Sequence, residues 1–224
     1  MAVRVDPIAS YRIPKPSGGT RVMARLTAHD AARWESAAAS AAPAIEARLG
    51  PAILGNRVRP GSGTLRLRPL DASLTAARRA AARLARDSSV VIRTDVASFY
   101  PSITPTVLAD GLRETTGPAD ARLAAGMVEG WGSEGYTGLP IGPDGSAVLA
   151  NAILAPVDRA LAGVPFLRWV DDYLVAVLSE RQAEEVLERL DLALDRLGLR
   201  RSLPKTRRLE GGRSLPWPGT LSGP

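Results

Sequence analysis

Two short runs, FLRWV (166–170) and YLVAVL (173–178), are separated only by Asp171 and Asp172, and this pairing constrains the fold more than any other feature of the chain. Both runs are short and rich in aromatic and β-branched residues. They read as two strands of a tight hairpin with two carboxylates at its tip. A third run, SVVIRT (89–94), is β-branched and ends at Asp95, the pattern of a buried strand that delivers a carboxylate at its end. If strand and hairpin are neighbours in one sheet, three carboxylates share a small volume. Like charges so close cannot all stay ionised without a counter-cation. His29 is the only histidine, better suited to marking a helix start than to acting as a base, and there are no cysteines. Such a cation would be held by oxygen ligands, which points to Mg²⁺ or Mn²⁺. Two ions a few ångströms apart can activate a hydroxyl and stabilise a leaving pyrophosphate in one in-line displacement. Taken alone, however, an Asp-Asp turn is more often a solvated turn, because Asp favours turns for its own backbone reasons.

Helical patterns surround these runs. Asp30 can cap a helix that contains Trp34 and is interrupted near Pro43. After an irregular stretch rich in Gly, Pro and Arg (50–69), Leu74, Ala77, Ala81 and Leu84 repeat at helical spacing, with Arg78, Arg79, Arg83 and Arg86 elsewhere around the cylinder. Thr104 before Pro105 starts another helix, a further one runs from Pro118 to about Gly130, and 146–161 is apolar and helical with Pro156 placed to kink it. Ser179 and Gln182 form a capping-box pair ahead of the cleanest amphipathic helix, through Leu187, Leu190 and Leu194, which Gly198 stops. The order strand, helices, hairpin, helix, strand predicts an α+β fold in which helices cover one face of a small antiparallel sheet.

A chain of 224 residues suits one domain with two lobes. Its net charge of +6 suits a polyanionic partner, although arginines spread over a solvated surface account for the excess equally well. The N-terminus lacks a basic segment followed by an apolar one, and no run approaches a membrane span, so a soluble cytoplasmic protein is expected.

Five segments, taken together and in order, resemble the reverse transcriptases, particularly the bacterial retron and abortive-infection types. DVASFYPSI (95–103) resembles their motif A, GLPIGPDGSAVLANAILAPVD (138–158) motif B, and RWVDDYLV (168–175) motif C. LGLRRSLPKT (197–206) is similar to motif D, and IPKPSGGTR (13–21) to the segment that opens the fingers. The resemblance covers residues 13 to 206. It implies a right-hand fingers and palm arrangement with a ferredoxin-like palm: fingers over 1–70, palm over 71–210 and a Gly/Pro-rich tail over 211–224. It also implies RNA-directed DNA synthesis from deoxynucleoside triphosphates on an RNA template and a DNA primer, with Mg²⁺ or Mn²⁺ as cofactor, and a place in antiviral defence or in a mobile element.

Carried over residue by residue, the resemblance implies that Asp95, Asp171 and Asp172 bind the metals, with the Val96 carbonyl as a further ligand. Tyr100 falls where an aromatic ring lies under the incoming sugar and excludes a 2′-hydroxyl, while Phe99 reads as core. Lys15 and Arg21 match cations that grip the triphosphate, Gly142 lets backbone approach the nucleotide, and Lys205 matches a lysine near the departing pyrophosphate. Read as isolated residues, Lys15 and Arg21 are more often solvated surface cations, and a surface lysine is the lesser alternative for Lys205. Three positions depart from the usual pattern: Trp169 for the motif C tyrosine or phenylalanine, Ile141 for glutamine, and Ser202 near the motif D asparagine. The short tail after Thr206 leaves room for a primer-grip hairpin but not for a helical thumb, so a distributive enzyme is expected, with a partner chain or a fused segment supplying the clasp. Rival readings are a palm polymerase that makes RNA or adds nucleotides without a template, and a silent nucleic-acid-binding scaffold.

Overall fold

The computed structural model describes residues 3–14, 19–59, 61, 65–113, 115–212 and 217–218. Two compact units divide the chain: Met1–Leu49, Arg57–Leu67 and Ser98–Ile153 form the first, and Gly50–Asn56, Arg68–Ala97 and Leu154–Pro224 the second.

In the first unit, strands β1 (Ala9–Pro14) and β2 (Thr20–Arg25) pair as an antiparallel hairpin. Helix α1 (Ala28–Arg48) follows. Its cap is Thr27, not the expected Asp30: the Thr27 hydroxyl accepts the Asp30 N–H at 3.3 Å. Asp30 is buried instead, and its carboxylate accepts the backbone N–H of Asp6 at 2.8 Å and the indole N–H of Trp131 at 3.4 Å. Nor does Pro43 interrupt α1, which runs through it. Pro43 is exposed, and the buried stripe of Ala37, Ala38, Ala41, Ala42 and Ile45 holds the helix on both sides of the missing hydrogen bond, so tertiary packing outweighs the local cost. Trp34 lies edge-on to Trp131, with ring centroids 5.2 Å apart, and donates to Ser146 Oγ at 2.9 Å. The short α3 (Phe99–Ser102), then α4 (Pro105–Leu112), capped by Thr104 as expected, α5 (Pro118–Ser133) and α6 (Asp144–Ile153) complete this unit. The helical stretch expected over 146–161 is two helices: α6 ends at Ile153, and α7 (Ala155–Ala160), in the second unit, has Pro156 in its first turn, where proline costs no hydrogen bond.

The second unit is built on one antiparallel sheet of order β4-β5-β3-β6, comprising β3 (Val90–Asp95), β4 (Phe166–Trp169), β5 (Asp172–Val177) and β6 (Arg207–Glu210). With α7 and α8 (Glu180–Asp195) in the connections, this is the ferredoxin-like βαββαβ order, and the fold is α+β. Helices cover both faces rather than one. On β5, Tyr173, Leu174, Val175 and Val177 are all buried, so neither face is left to water. One face meets α2 (Leu70–Arg86): Ala77, Ala81 and Ala85 pack with Val91, Leu167, Leu174 and Trp217. Helix α8, outside that cluster, also packs against β3 and β5 and is capped by Ser179, whose hydroxyl accepts the Gln182 N–H. Arg78, Arg79, Arg83 and Arg86 of α2 are exposed. Among the described residues no helix is long and apolar enough to cross a membrane.

Candidate active site

The carboxylates of the second unit are placed by strand register. Asp95, the last residue of β3, stands directly opposite Asp172, the first of β5, and residues facing each other across an antiparallel pair share one side of the sheet. Asp171 occupies the turn just before β5, and its carbonyl accepts the Val96 N–H at 3.2 Å. On the other side, the Asp95 carbonyl accepts the Ser202 N–H and Ala97 donates to the Arg200 carbonyl, both at 2.8 Å. The chain leaving β3 is therefore pinned between the acidic turn and the 200–202 segment.

Two protein cations meet these acids. Lys205, in a 3-10 turn (Leu203–Lys205), ion-pairs with Asp95 Oδ2, while Arg93 donates to Asp172 Oδ2 at 2.9 Å. Arg93 lies two residues before Asp95 and therefore on the same side of β3, one diagonal step from Asp172. The other oxygen of Asp95, Oδ1, is buried without a hydrogen-bond partner. Burial, and then the charge of Asp95, push the Asp171 carboxyl up to about 6. Burial also raises Asp172, against the opposing pull of Arg93.

Asp95 Oδ1, buried without a hydrogen-bond partner and close enough to Asp171 for the two charges to repel, is an oxygen donor of the kind a hard divalent cation takes. Among the described residues, no group of three acidic or imidazole side chains is arranged to hold a metal ion. The ion pairs to Lys205 and Arg93 each commit a carboxylate oxygen to a protein cation.

Other expected site residues lie in the first unit. Arg21 sits on β2 opposite Ile13 and is exposed, and Lys15 lies outside the described residues. Tyr100 is half-buried on α3, set edge-on to the buried Phe99 with centroids 5.5 Å apart. The Tyr100 carbonyl accepts the Leu139 N–H at 2.9 Å. That approach needs Gly138: it has a φ of +77°, and an added Cβ would lie 2.1 Å from the Tyr100 carbonyl oxygen. Gly142 has a φ of +132°, and the adjacent Ile141 carbonyl accepts the Ala24 N–H at 2.8 Å, which joins this turn to the strand bearing Arg21.

Sequence reasoning missed Arg93, Gly138 and the ion pair of Asp158 with the buried Arg168. The alternation of β3 could have flagged Arg93, which shares a face with Asp95. Arg168, a charge inside the apolar run FLRW, signalled that a buried partner must exist.

A family model described as reverse transcriptase (RNA-dependent DNA polymerase) matches residues 13–220. No curated protein matches the chain.

Proposed function

The chain belongs to the reverse transcriptase (RNA-dependent DNA polymerase) family, and from that premise we propose that it extends a primer 3′-hydroxyl with deoxynucleoside triphosphates along an RNA template. The observation that carries this reading is the register of Asp95 against Asp172, with Asp171 in the adjoining turn, on a sheet whose two faces are both packed. Rigid strands hold acidic groups far better than a solvated loop does.

In this proposal Asp95, Asp171, Asp172 and the Val96 carbonyl hold Mg²⁺, with Mn²⁺ as a substitute. Bound there, the ions would lower the pKa of the attacking hydroxyl and offset charge on the leaving pyrophosphate. The chain's own groups do the rest. Lys205, tethered to Asp95 at the end of a largely exposed stem, supplies positive charge or a proton on the pyrophosphate side. Lys15 and Arg21 grip the triphosphate, Arg21 through a fork and Lys15 as a point charge. Tyr100 takes the place under the sugar and disfavours a 2′-hydroxyl, and Gly142 keeps a side chain out of the nucleotide's path. The fingers extend over 1–70 and the palm over 71–210.

The pairing of Asp95 and Asp172 with Lys205 and Arg93 favours a second reading, a scaffold that binds nucleic acid without catalysis. One experiment separates the two. Purified protein is incubated with Mg²⁺ and labelled nucleotides, with and without a primed RNA template, and the products are sized. Extension that depends on template supports the polymerase. Nucleotide addition without template moves the reading to untemplated synthesis, and no addition, with nucleic acid still bound, leaves the scaffold.

A further inference from the structure

Behind the acidic turn lies a group of side chains that the proposed chemistry does not use. Arg168 is completely buried. Its guanidinium forks onto Asp158 of α7, Nε to Oδ1 and Nη2 to Oδ2, both at 2.8 Å. The remaining nitrogen, Nη1, donates to the Val170 carbonyl at 2.9 Å. Tyr173 closes the group from the far side, its hydroxyl donating to Asp158 Oδ1 at 3.0 Å. The residues on either side of Asp171 and Asp172 are thus tied, directly or through Arg168, to the single carboxylate of Asp158.

Val170 explains what the tie achieves. Its φ is +59°, a left-handed conformation that a β-branched residue rarely adopts. Such a conformation persists only where its surroundings over-determine it. Here they do so from two directions. The 52–54 segment pairs along β4, with Arg168 N–H donating to the Ala52 carbonyl at 2.8 Å and Leu54 N–H to the Arg168 carbonyl at 2.9 Å. Next to it, Gly55 lies so close that an added Cβ would be 2.7 Å from the Val170 nitrogen. Arg168 holds the other end of Val170, its carbonyl. That carbonyl belongs to the peptide leading into Asp171, so fixing it fixes the direction in which the Asp171 backbone enters the site.

We infer that Asp158 and Arg168 are positioning residues: they clamp Val170 in its left-handed conformation and so aim Asp171 at the reacting centre. The inference rests on the reading that Asp171 is an acid of that centre. A fork with a third donor at a fixed angle is a property of arginine that lysine lacks, so Arg168→Lys keeps the charge and loses the clamp. Glycine adopts a positive φ without strain, so Val170→Gly removes the need for it.

The test measures Mn²⁺ affinity of the full chain by electron paramagnetic resonance, together with hydrogen exchange at the Val96 amide, whose acceptor is the Asp171 carbonyl. Arg168→Lys is expected to weaken Mn²⁺ binding by about 10-fold or more, the scale for loss of a group that orients a ligand, and Val170→Gly in the same chain to recover most of it. Val96 exchange is expected to speed by about 10-fold in Arg168→Lys while Leu190 in α8 is unchanged, since a general loss of stability would speed both. If Arg168→Lys does not fold, Tyr173→Phe, which deletes one hydroxyl, replaces it, with about threefold effects in the same direction. Wild-type Mn²⁺ affinity in the variant, a loss that Val170→Gly does not restore, or equal acceleration at Val96 and Leu190 overturns the clamp. Absence of Mn²⁺ binding by the unaltered chain counts against the polymerase reading, and the Val96 exchange then decides the clamp alone.

Discussion

The ammonium of Lys205 pairs with one oxygen of Asp95 while the other, Oδ1, is buried with no hydrogen-bond partner. One carboxylate is thus half neutralised by the protein and half left for something else. A cation arriving at Oδ1 shares its anion with the ammonium, which therefore competes with it. Replacing Lys205 with Met is expected to tighten Mn²⁺ binding by the free chain about threefold or more. The same change is expected to lower the rate of synthesis, because the charge on the pyrophosphate side is gone. Titration with Mn²⁺ and single-turnover kinetics measure the two effects; weaker metal binding by Lys205→Met would show that the ammonium supports the site rather than competing for it.

Asp171 makes stability depend on pH. Its carboxyl titrates near 6 in the folded chain against an ordinary 3.8, so the folded state holds the proton more tightly than the unfolded chain. The sign follows: this group's contribution is most favourable below about 3.8 and is lost as pH rises through about 6. In chelator, Asp171→Asn is expected to be more stable than the unaltered chain at pH 7 by about 3 kcal/mol, the gap closing towards pH 4. Urea unfolding of both chains at the two pH values checks this, and a constant gap would place the shift elsewhere.

Asp95→Asn is expected to reduce primer extension by about 10³-fold or more while nucleic-acid binding changes little. Primer extension paired with filter binding reads both. Retained extension would remove Asp95 from the chemistry.

Tyr100→Ala is expected to raise ribonucleotide incorporation relative to deoxynucleotide by about 10-fold, the scale of discrimination that a single steric contact supplies. Competition between the two nucleotide classes measures the ratio. If the unaltered chain already uses both equally, Tyr100 is not the gate.

Gly138→Ala is expected to cost about 3 kcal/mol or more, because the new methyl meets the Tyr100 carbonyl and the backbone has a positive φ. A thermal melt within a few degrees of the unaltered chain would mean that the 138–139 turn can shift at little cost.

The hairpin carrying Asp171 and Asp172, β3 ending at Asp95, and α8 behind Ser179 were all legible in the sequence, because strand alternation and capping are local signals, although Asp172 is the first residue of β5 and not part of the turn. Partners across the sheet were not. Alternation puts Arg93 and Asp95 on one face but does not say which residue of another strand stands there, so the Arg93–Asp172 pair was hidden. Val170 was hidden for the opposite reason: local propensity argues against a positive φ at a β-branched residue, and only the buried Arg168 and the 52–55 segment overrule it. Asp30 and Pro43 show the same override, one drawn into the core by Trp131 and Asp6, the other carried by the buried alanines of α1.

Strand β3 is flanked by β5 and β6, and its last residue meets the first residue of β5. This makes the site sensitive to chain length as well as to residue identity. Deleting one residue between Val90 and Thr94 would leave every acid present and the hydrophobic content nearly unchanged. Each side chain on one flank of the gap would nevertheless move to the opposite face, with either Asp95 or the apolar residues of β3 turned the wrong way. Among relatives, a missing residue in this strand should therefore be accompanied by a bulge or a matching loss in β5, a correlation between gap positions that alignments of this family can reveal without any measurement of activity.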